Sequence, residues 1–227
     1  DQLSAITIEA WYKYNGQIEE NSQPIFGSSQ GGFQIGKTSW TDGIVIEDGG
    51  INSNYCNPSC NVVNGTNAFD GALHHIAYQQ SGGPGGAAEL FLDGNKVWEG
   101  TAQIGAGNLW IGQAYIPGSN YNAYFNGIMD EIMISNSVKY SEDFDPSYGY
   151  TVDSSTLAYY TFELANDIYI QDVSGNENTA TMIGNCVREY DPMCEDGFGP
   201  NCLRQNRVYI EPQQIQRGQE AGIPVYL

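Results

Sequence analysis

Hydrophobic and polar residues alternate along most of this chain with a period of two. In Ile6-Thr7-Ile8-Glu9-Ala10-Trp11, successive side chains fall on opposite faces of an extended strand. The same signal predicts strands over 23–27, 32–37, 43–47, 74–80, 87–92, 95–99, 107–112, 125–135, 156–163 and 179–184. Almost no stretch carries a helical period. Gly-rich turns separate the runs, which is the pattern of an antiparallel sandwich or jelly roll. Asp93-Gly94 stands between Glu89-Leu90-Phe91-Leu92 and Asn95-Lys96-Val97-Trp98 and predicts a two-residue hairpin turn, since both residues tolerate positive φ. Ser81-Gly82-Gly83-Pro84-Gly85-Gly86 reads as a flexible loop. Beyond Asn185 the alternation fades while Pro, Gln and Arg rise. The expected organisation is therefore an all-β, two-sheet domain over 1–184 with a small cysteine-containing appendage or linker over 185–227.

Length and charge narrow the function. A chain of 227 residues is long enough to bury a sizeable core. No apolar run approaches the roughly 18 residues of a membrane helix, so no membrane insertion is expected. Eight basic residues against 27 acidic ones give a net charge of −19, which repels phosphate backbones and disfavours nucleic acid as a partner. Such an excess of carboxylates suits a saline, calcium-containing medium, or it serves solubility alone. The five cysteines are unevenly placed. Cys56 and Cys60 enclose Asn-Pro-Ser, a tight turn that predicts a bridge between them, while Cys186, Cys194 and Cys202 lie near the end. This usage, with a candidate sequon at Asn64-Gly65-Thr66, points to an oxidising, extracellular or cell-surface location.

Several stretches, taken in order, are similar to one family. Ile6 to Tyr14, Leu73-His74-His75-Ile76-Ala77, Glu89 to Val97, Leu109-Trp110-Ile111-Gly112 and Phe125-Asn126-Gly127-Ile128-Met129-Asp130-Glu131-Ile132 resemble consecutive strands of the laminin-G-like, concanavalin A-like lectin and glucanase family. Leu157 to Glu163 followed by Asp172-Val173-Ser174-Gly175-Asn176 resembles that family's opening strand, yet it comes last here. Either the domain is permuted or a strand closes the sheet from the far end. The resemblance implies two packed antiparallel sheets in a jelly roll, a fold that hosts many activities. Cys194 to Cys202 resembles the closing loop of an epidermal growth factor-like repeat, which implies a bridge between those two residues and a modular extracellular protein.

Catalysis is not expected. A glucanase needs two carboxylates on one strand face, and alternation sends the neighbours Asp130 and Glu131 to opposite faces, with Asp130 on the side of Ile128, Ile132 and Ile134. By the same rule, one of His74 and His75 points inward and the other outward, as ordinary strand residues. No nucleophile elbow or phosphate loop occurs. Calcium is the expected cofactor. Side-chain oxygens recur at every second residue of Asp172-Val173-Ser174-Gly175-Asn176, which either wraps an ion through Asp172 and Asn176 or forms an Asx-type turn bonded to its own backbone. Asp130 would join that site if strand 157–163 pairs near 128–134.

Ligand recognition is expected on aromatic loops, where rings stack on sugar faces and amides bond hydroxyls. The segment from Ala114 to Tyr124 has that composition; Tyr115, Tyr121 and Tyr124 are its candidate contacts, with Trp40 and Tyr55 on the same rim. The expectation is thus an extracellular, non-catalytic binding or adhesion module for a glycan or an extracellular protein. The alternative is a subunit of a surface filament that self-associates through these loops and the tail, where Val208-Tyr209-Ile210 and Ile223-Pro224-Val225-Tyr226-Leu227 would add a strand to a neighbour.

Overall fold

The alternation at the N-terminus becomes a ten-residue strand, β1 (Ala5–Tyr14), with Ile8, Ala10 and Tyr12 buried on one side and Thr7 and Glu9 on the other. A computed structural model describes residues 3–16, 22–29, 33–38, 41–48, 60–83, 85–102, 108–115, 122–163, 165–166, 169–183, 186–190, 206–210 and 223–225. Among them there is no helix. After β1 come β2 (Ser22–Ser28), β3 (Phe33–Thr38), β4 (Thr41–Asp48), β5 (Cys60–Val63), β6 (Leu73–Ser81), β7 (Ala87–Leu92), β8 (Asn95–Thr101), β9 (Leu109–Ile111), β10 (Gln113–Tyr115), β11 (Asn122–Tyr124) and β12 (Gly127–Ser135). The series ends with β13 (Thr156–Tyr160), β14 (Ala165–Asn166), β15 (Tyr169–Ile170), β16 (Ala180–Thr181), β17 (Cys186–Tyr190), β18 (Asn206–Ile210) and β19 (Ile223–Val225).

Two antiparallel sheets form the sandwich, in agreement with the expected all-β jelly roll. An eight-stranded sheet runs β17-β18-β12-β1-β6-β7-β8, with β13 also paired to β12, and a six-stranded sheet runs β19-β9-β2-β3-β4-β5. Their inner faces share one apolar core, in which Phe33 of one sheet meets Tyr78 of the other at 5.4 Å between ring centroids. The predicted hairpin forms: β7 and β8 pair, and Asp93 and Gly94 have φ of 49° and 75°, the double positive φ of a type I′ turn.

The outer face of the eight-stranded sheet is covered by residues 136–155, which run across it as a strap. Gln79 holds the start: its Oε1 accepts from the N–H groups of Lys139 and Tyr140. Phe144 packs on Phe91 and stacks on Tyr140, and Tyr148 stacks on Trp11 at 4.2 Å. Asp143 accepts from the Lys96 N–H, and Phe144 donates its N–H to the Gly94 carbonyl.

The late strands extend both sheets. One edge of β12 is shared, with β13 along Ile132–Ser135 and β18 along Gly127–Met129. Beyond it β17 pairs with β18, while β19 pairs with β9. The described strands of 186–225 therefore pair within their own chain, on both sheets. Cys194 and Cys202 lie outside the described residues.

Candidate functional site

Alternation places Ile25 and Phe26 of β2 in the core, past a bulge between Pro24 and Phe26, and turns Gly27 to the outer face of the six-stranded sheet. Opposite Gly27 lies Trp110, between the core residues Leu109 and Ile111 and so also directed outward. Gly112 then takes a φ of 72°, and the chain turns back as the β10–β11 ribbon. Three hydrogen bonds fix its root: Gly112 N–H to the Ile25 carbonyl at 2.8 Å, Phe125 N–H to the Gly112 carbonyl at 2.8 Å, and Asn126 N–H to Gln23 Oε1 at 2.7 Å. Ala114 and Ala123, paired across the ribbon, are both buried.

This ribbon holds both ends of the loop that carries Tyr121. Tyr115 lies on β10 opposite Asn122. Tyr124 lies on β11 opposite Gln113 and is only 4% exposed, so its ring packs inside the protein and offers no free face for stacking. That differs from its expected place on an exposed loop, because Tyr124 belongs to strand β11 and is covered there. Trp40, Tyr55 and Tyr121 lie outside the described residues. Polar groups on the same sheet face went unremarked in the sequence. Gln34, between the core residues Phe33 and Ile35, donates from Nε2 to Ser22 Oγ at 2.5 Å. Across the strand pair from it, Glu47 has a carboxyl pushed up from its ordinary pKa by burial. Alternation alone would have found Gln34. Cys60 faces Glu47 from β5 and is disulfide-bonded; Cys56, its expected partner, lies outside the described residues.

The acidic pair on β12 is arranged differently from the expectation. Trp11 pairs with Asp130 and Glu9 with Met133, so two residues of β12 oppose Ala10 in a bulge, and Glu131 takes a φ of 51°. The bulge breaks the alternation. Asp130 falls on the outer side with Trp11, while Ile132 and Ile134 remain in the core. Glu131 reaches the same outer side, where the Tyr159 hydroxyl donates to its Oε2. The claim that these carboxylates point to opposite faces is therefore corrected. Both are fully buried, and Tyr148, beside the two, has its phenol pKa raised by burial and then by their charges. The two carboxylates thus share one side of the sheet and are closed off from solvent there.

The histidines divide as alternation requires. His75 faces outward under the strap, with Nε2 at 3.0 Å from the Tyr150 hydroxyl and 3.3 Å from Glu9, whose Oε2 accepts from the Tyr140 hydroxyl at 2.6 Å. His74 lies on the other side, with Nδ1 at 2.8 Å from Asp93 and Nε2 at 3.1 Å from Asp70. Burial alone would lower its pKa, but hydrogen bonds to Asp93 and Asp70 outweigh that and raise it.

Around Asp172 the carboxylate is occupied by backbone donors. Its Oδ1 accepts from the N–H groups of Tyr159 and Ser174 and its Oδ2 from that of Asn178, while Asn176 donates from Nδ2 to the Thr156 carbonyl at 2.7 Å. This geometry supports the Asx-type turn. Strands β12 and β13 do pair, but Asp130 accepts from the neighbouring Glu131 N–H on the strap side, and no described contact joins it to Asp172. Among the described residues, no group of three or more His, Cys, Asp or Glu is arranged to hold a metal ion.

A family model described as the concanavalin A-like lectin/glucanases superfamily matches residues 1–143. The chain belongs to this superfamily. Among curated proteins, none matches the chain. A solved structure described as a "putative carbohydrate binding protein" from Bacteroides ovatus ATCC 8483 is similar, with a TM-score of 0.59 and 14% identity over 95% of this chain and 56% of that one. The chain thus spans little more than half the length of that relative, and at such identity the likeness shows the fold alone.

Proposed function

We propose that this chain is an extracellular, non-catalytic carbohydrate-binding module that recognises its ligand through the aromatic segments that carry Trp40, Tyr55, Tyr115 and Tyr121. The observation that carries the reading is the β10–β11 ribbon, rooted on β2 and flanking the segment that carries Ser119, Asn120 and Tyr121. Rings on such a loop stack on sugar faces, and its amides and hydroxyls bond sugar hydroxyls. The superfamily and the carbohydrate-binding description of the Bacteroides relative support it. A net charge of −19 favours neutral glycans over sulfated or uronate-rich ones, which would meet like charge at the surface. Burial of Asp130 and Glu131 beneath the strap supports binding without hydrolysis.

A glycan array on the wild type and a Tyr115→Ala, Tyr121→Ala double variant tests the proposal. Loss of two stacked rings, each worth on the order of 1 kcal/mol, is expected to weaken binding roughly tenfold or more. A silent array, or sugar release from a polysaccharide, would refute it. A structural calcium ion belongs to the same proposal. Its support is the acidic composition alone, since Asp172 and Asn176 are engaged in the turn. Melting in calcium and in chelator checks it, because an ion bound only to the folded state raises the midpoint.

A further inference from the structure

We propose that Asn64 is a site of N-linked glycosylation, modified on its Nδ2 by transfer from a lipid-pyrophosphate-linked oligosaccharide. This rests on the extracellular part of the reading above. Asn64-Gly65-Thr66 is the one Asn-x-Ser/Thr triplet of the chain without a central proline, since Pro58 blocks Asn57-Pro58-Ser59. The triplet begins directly after β5, the last strand in the order of the six-stranded sheet, and Asn64 is exposed there. Its Oδ1 accepts from the Thr41 hydroxyl at 3.3 Å, which leaves Nδ2, the atom that carries the sugar, with no hydrogen-bond partner among the described residues. Gly65 turns the chain with a φ of 77°, and a Cβ placed on it would meet nothing within 4 Å. The turn therefore stands in open space, with room for a bulky, hydrated group.

Thr66 supplies a second, independent observation. Its side chain is half-buried, and its hydroxyl is closed off from solvent with no hydrogen-bond partner among the described residues. A buried hydroxyl left unpaired costs stability, so valine, of the same shape, would serve the fold at least as well. The fold gives no reason for a hydroxyl here. Glycosyl transfer does, because the hydroxyl of the third residue is part of the acceptor triplet. Since folding closes that hydroxyl off, transfer takes place on the emerging chain, before the segment after β5 has settled. In the transfer a bond forms between Nδ2 and the anomeric carbon of the oligosaccharide, and the bond from that carbon to the pyrophosphate oxygen breaks. Nδ2 gives up one proton, the lipid pyrophosphate leaves, and nothing is oxidised or reduced. At the end of β5, the glycan would stand beside a strand edge of the kind that otherwise pairs with other chains.

The test is mass spectrometry of the peptide that carries Asn64, taken from the protein of its native source and treated with peptide N-glycosidase in heavy-oxygen water. The expected result is conversion of Asn64 to heavy-oxygen-labelled aspartate on treatment, with no unmodified peptide of native mass beforehand. A secreted chain whose Asn64 is unmodified would overturn the site, as would unlabelled aspartate, which marks spontaneous deamidation. A chain retained inside the cell overturns the extracellular reading instead. Variants secreted from eukaryotic cells test the role of the hydroxyl: Thr66→Ser is expected to keep the glycan, and Thr66→Val and Asn64→Gln to lose it. Made without glycosylation machinery, Thr66→Val is expected to unfold at no lower denaturant concentration than wild type. Earlier unfolding would give the hydroxyl a structural task and overturn the argument from Thr66.

Discussion

On the outer face of the eight-stranded sheet, Glu9, His75, Asp130 and Glu131 are buried beneath residues 136–155; on that of the six-stranded sheet, a two-stranded ribbon lies over Gly27 and leads into the segment that carries Ser119, Asn120 and Tyr121. Both faces arise from the same alternation of side chains. They differ in how the covering segment is held. The strap is pinned along its length by stacked rings and by hydrogen bonds at Tyr140, Tyr150 and Asp143. The ribbon is bonded at its root and packs through the small residues Ala114 and Ala123. Acidic groups alone would have pointed to the first face as the functional one, but its carboxylates are closed off from solvent beneath tyrosines of the strap. The binding proposed above is assigned to the other face, where the covering ribbon leads into the segment that carries Ser119, Asn120 and Tyr121.

The sharpest way to break this contrast is at the strap's contact with the β7–β8 turn. A Cβ at Gly94 would lie 1.7 Å from the Phe144 carbonyl oxygen, and the residue already has a φ of 75°. Gly94→Ala should cost on the order of 3 kcal/mol from strain and overpacking, measured by denaturant unfolding. A wild-type midpoint would mean that the strap is looser than described. Next in size is Tyr140→Phe, which removes the hydroxyl donor from buried Glu9 and should cost about 2 kcal/mol. Glycan binding should survive in the fraction that remains folded, because the two faces are separate.

A third measurement contrasts neighbouring histidines on opposite sides of one strand. Since the His74 pKa is raised on folding, its ion pairs contribute stability that is fully present below the unfolded value of 6.5 and is lost as pH rises through the higher folded value. Asp70 works in the other direction. Its pKa is lowered, chiefly by the Ala72 N–H and then by His74, so its contribution is present above the unfolded value of 3.8 and is lost as pH falls through the folded one. His74→Gln should therefore be less stable than wild type by about 1.5 kcal/mol near pH 5.5, with the gap narrowing in alkaline buffer. A gap that does not vary with pH would place the effect in packing. The smallest effect expected is at the strap's outer edge, where Lys139 pairs with half-exposed Asp153. Lys139→Met should cost no more than about 0.5 kcal/mol, and salt should erase the difference.

What the sequence made legible follows from how local each signal is. The turn at Asp93-Gly94, strand β1 and the opposite orientations of His74 and His75 depend on a few neighbouring residues, and all three were readable. The bulge at Glu131 was not, because it is defined by the register against Ala10 on a strand far away in sequence. The same applies to β18 and β19, whose weak alternation gains meaning only beside β12 and β9. Tyr124 was assigned to the loop because composition marks a loop but not where the ribbon beneath it ends. Gly27 drew no notice, since a glycine between strand residues reveals its purpose only when the chain that lies across it is known.

The pairing of β12 has a consequence for synthesis. Ile8 finds its partner in Ile134, and Met129 finds one of its own in Val208. At about 5–20 residues per second, the first strand waits on the order of 10 s before β12, one of its two neighbours, exists. Throughout that interval one edge of β1 stays unpaired, even after β6 has joined its other edge. High contact order thus makes the nascent chain dependent on slow, late closure and vulnerable to edge-to-edge aggregation, and productive folding should benefit from lower temperature or from a holding chaperone during translation.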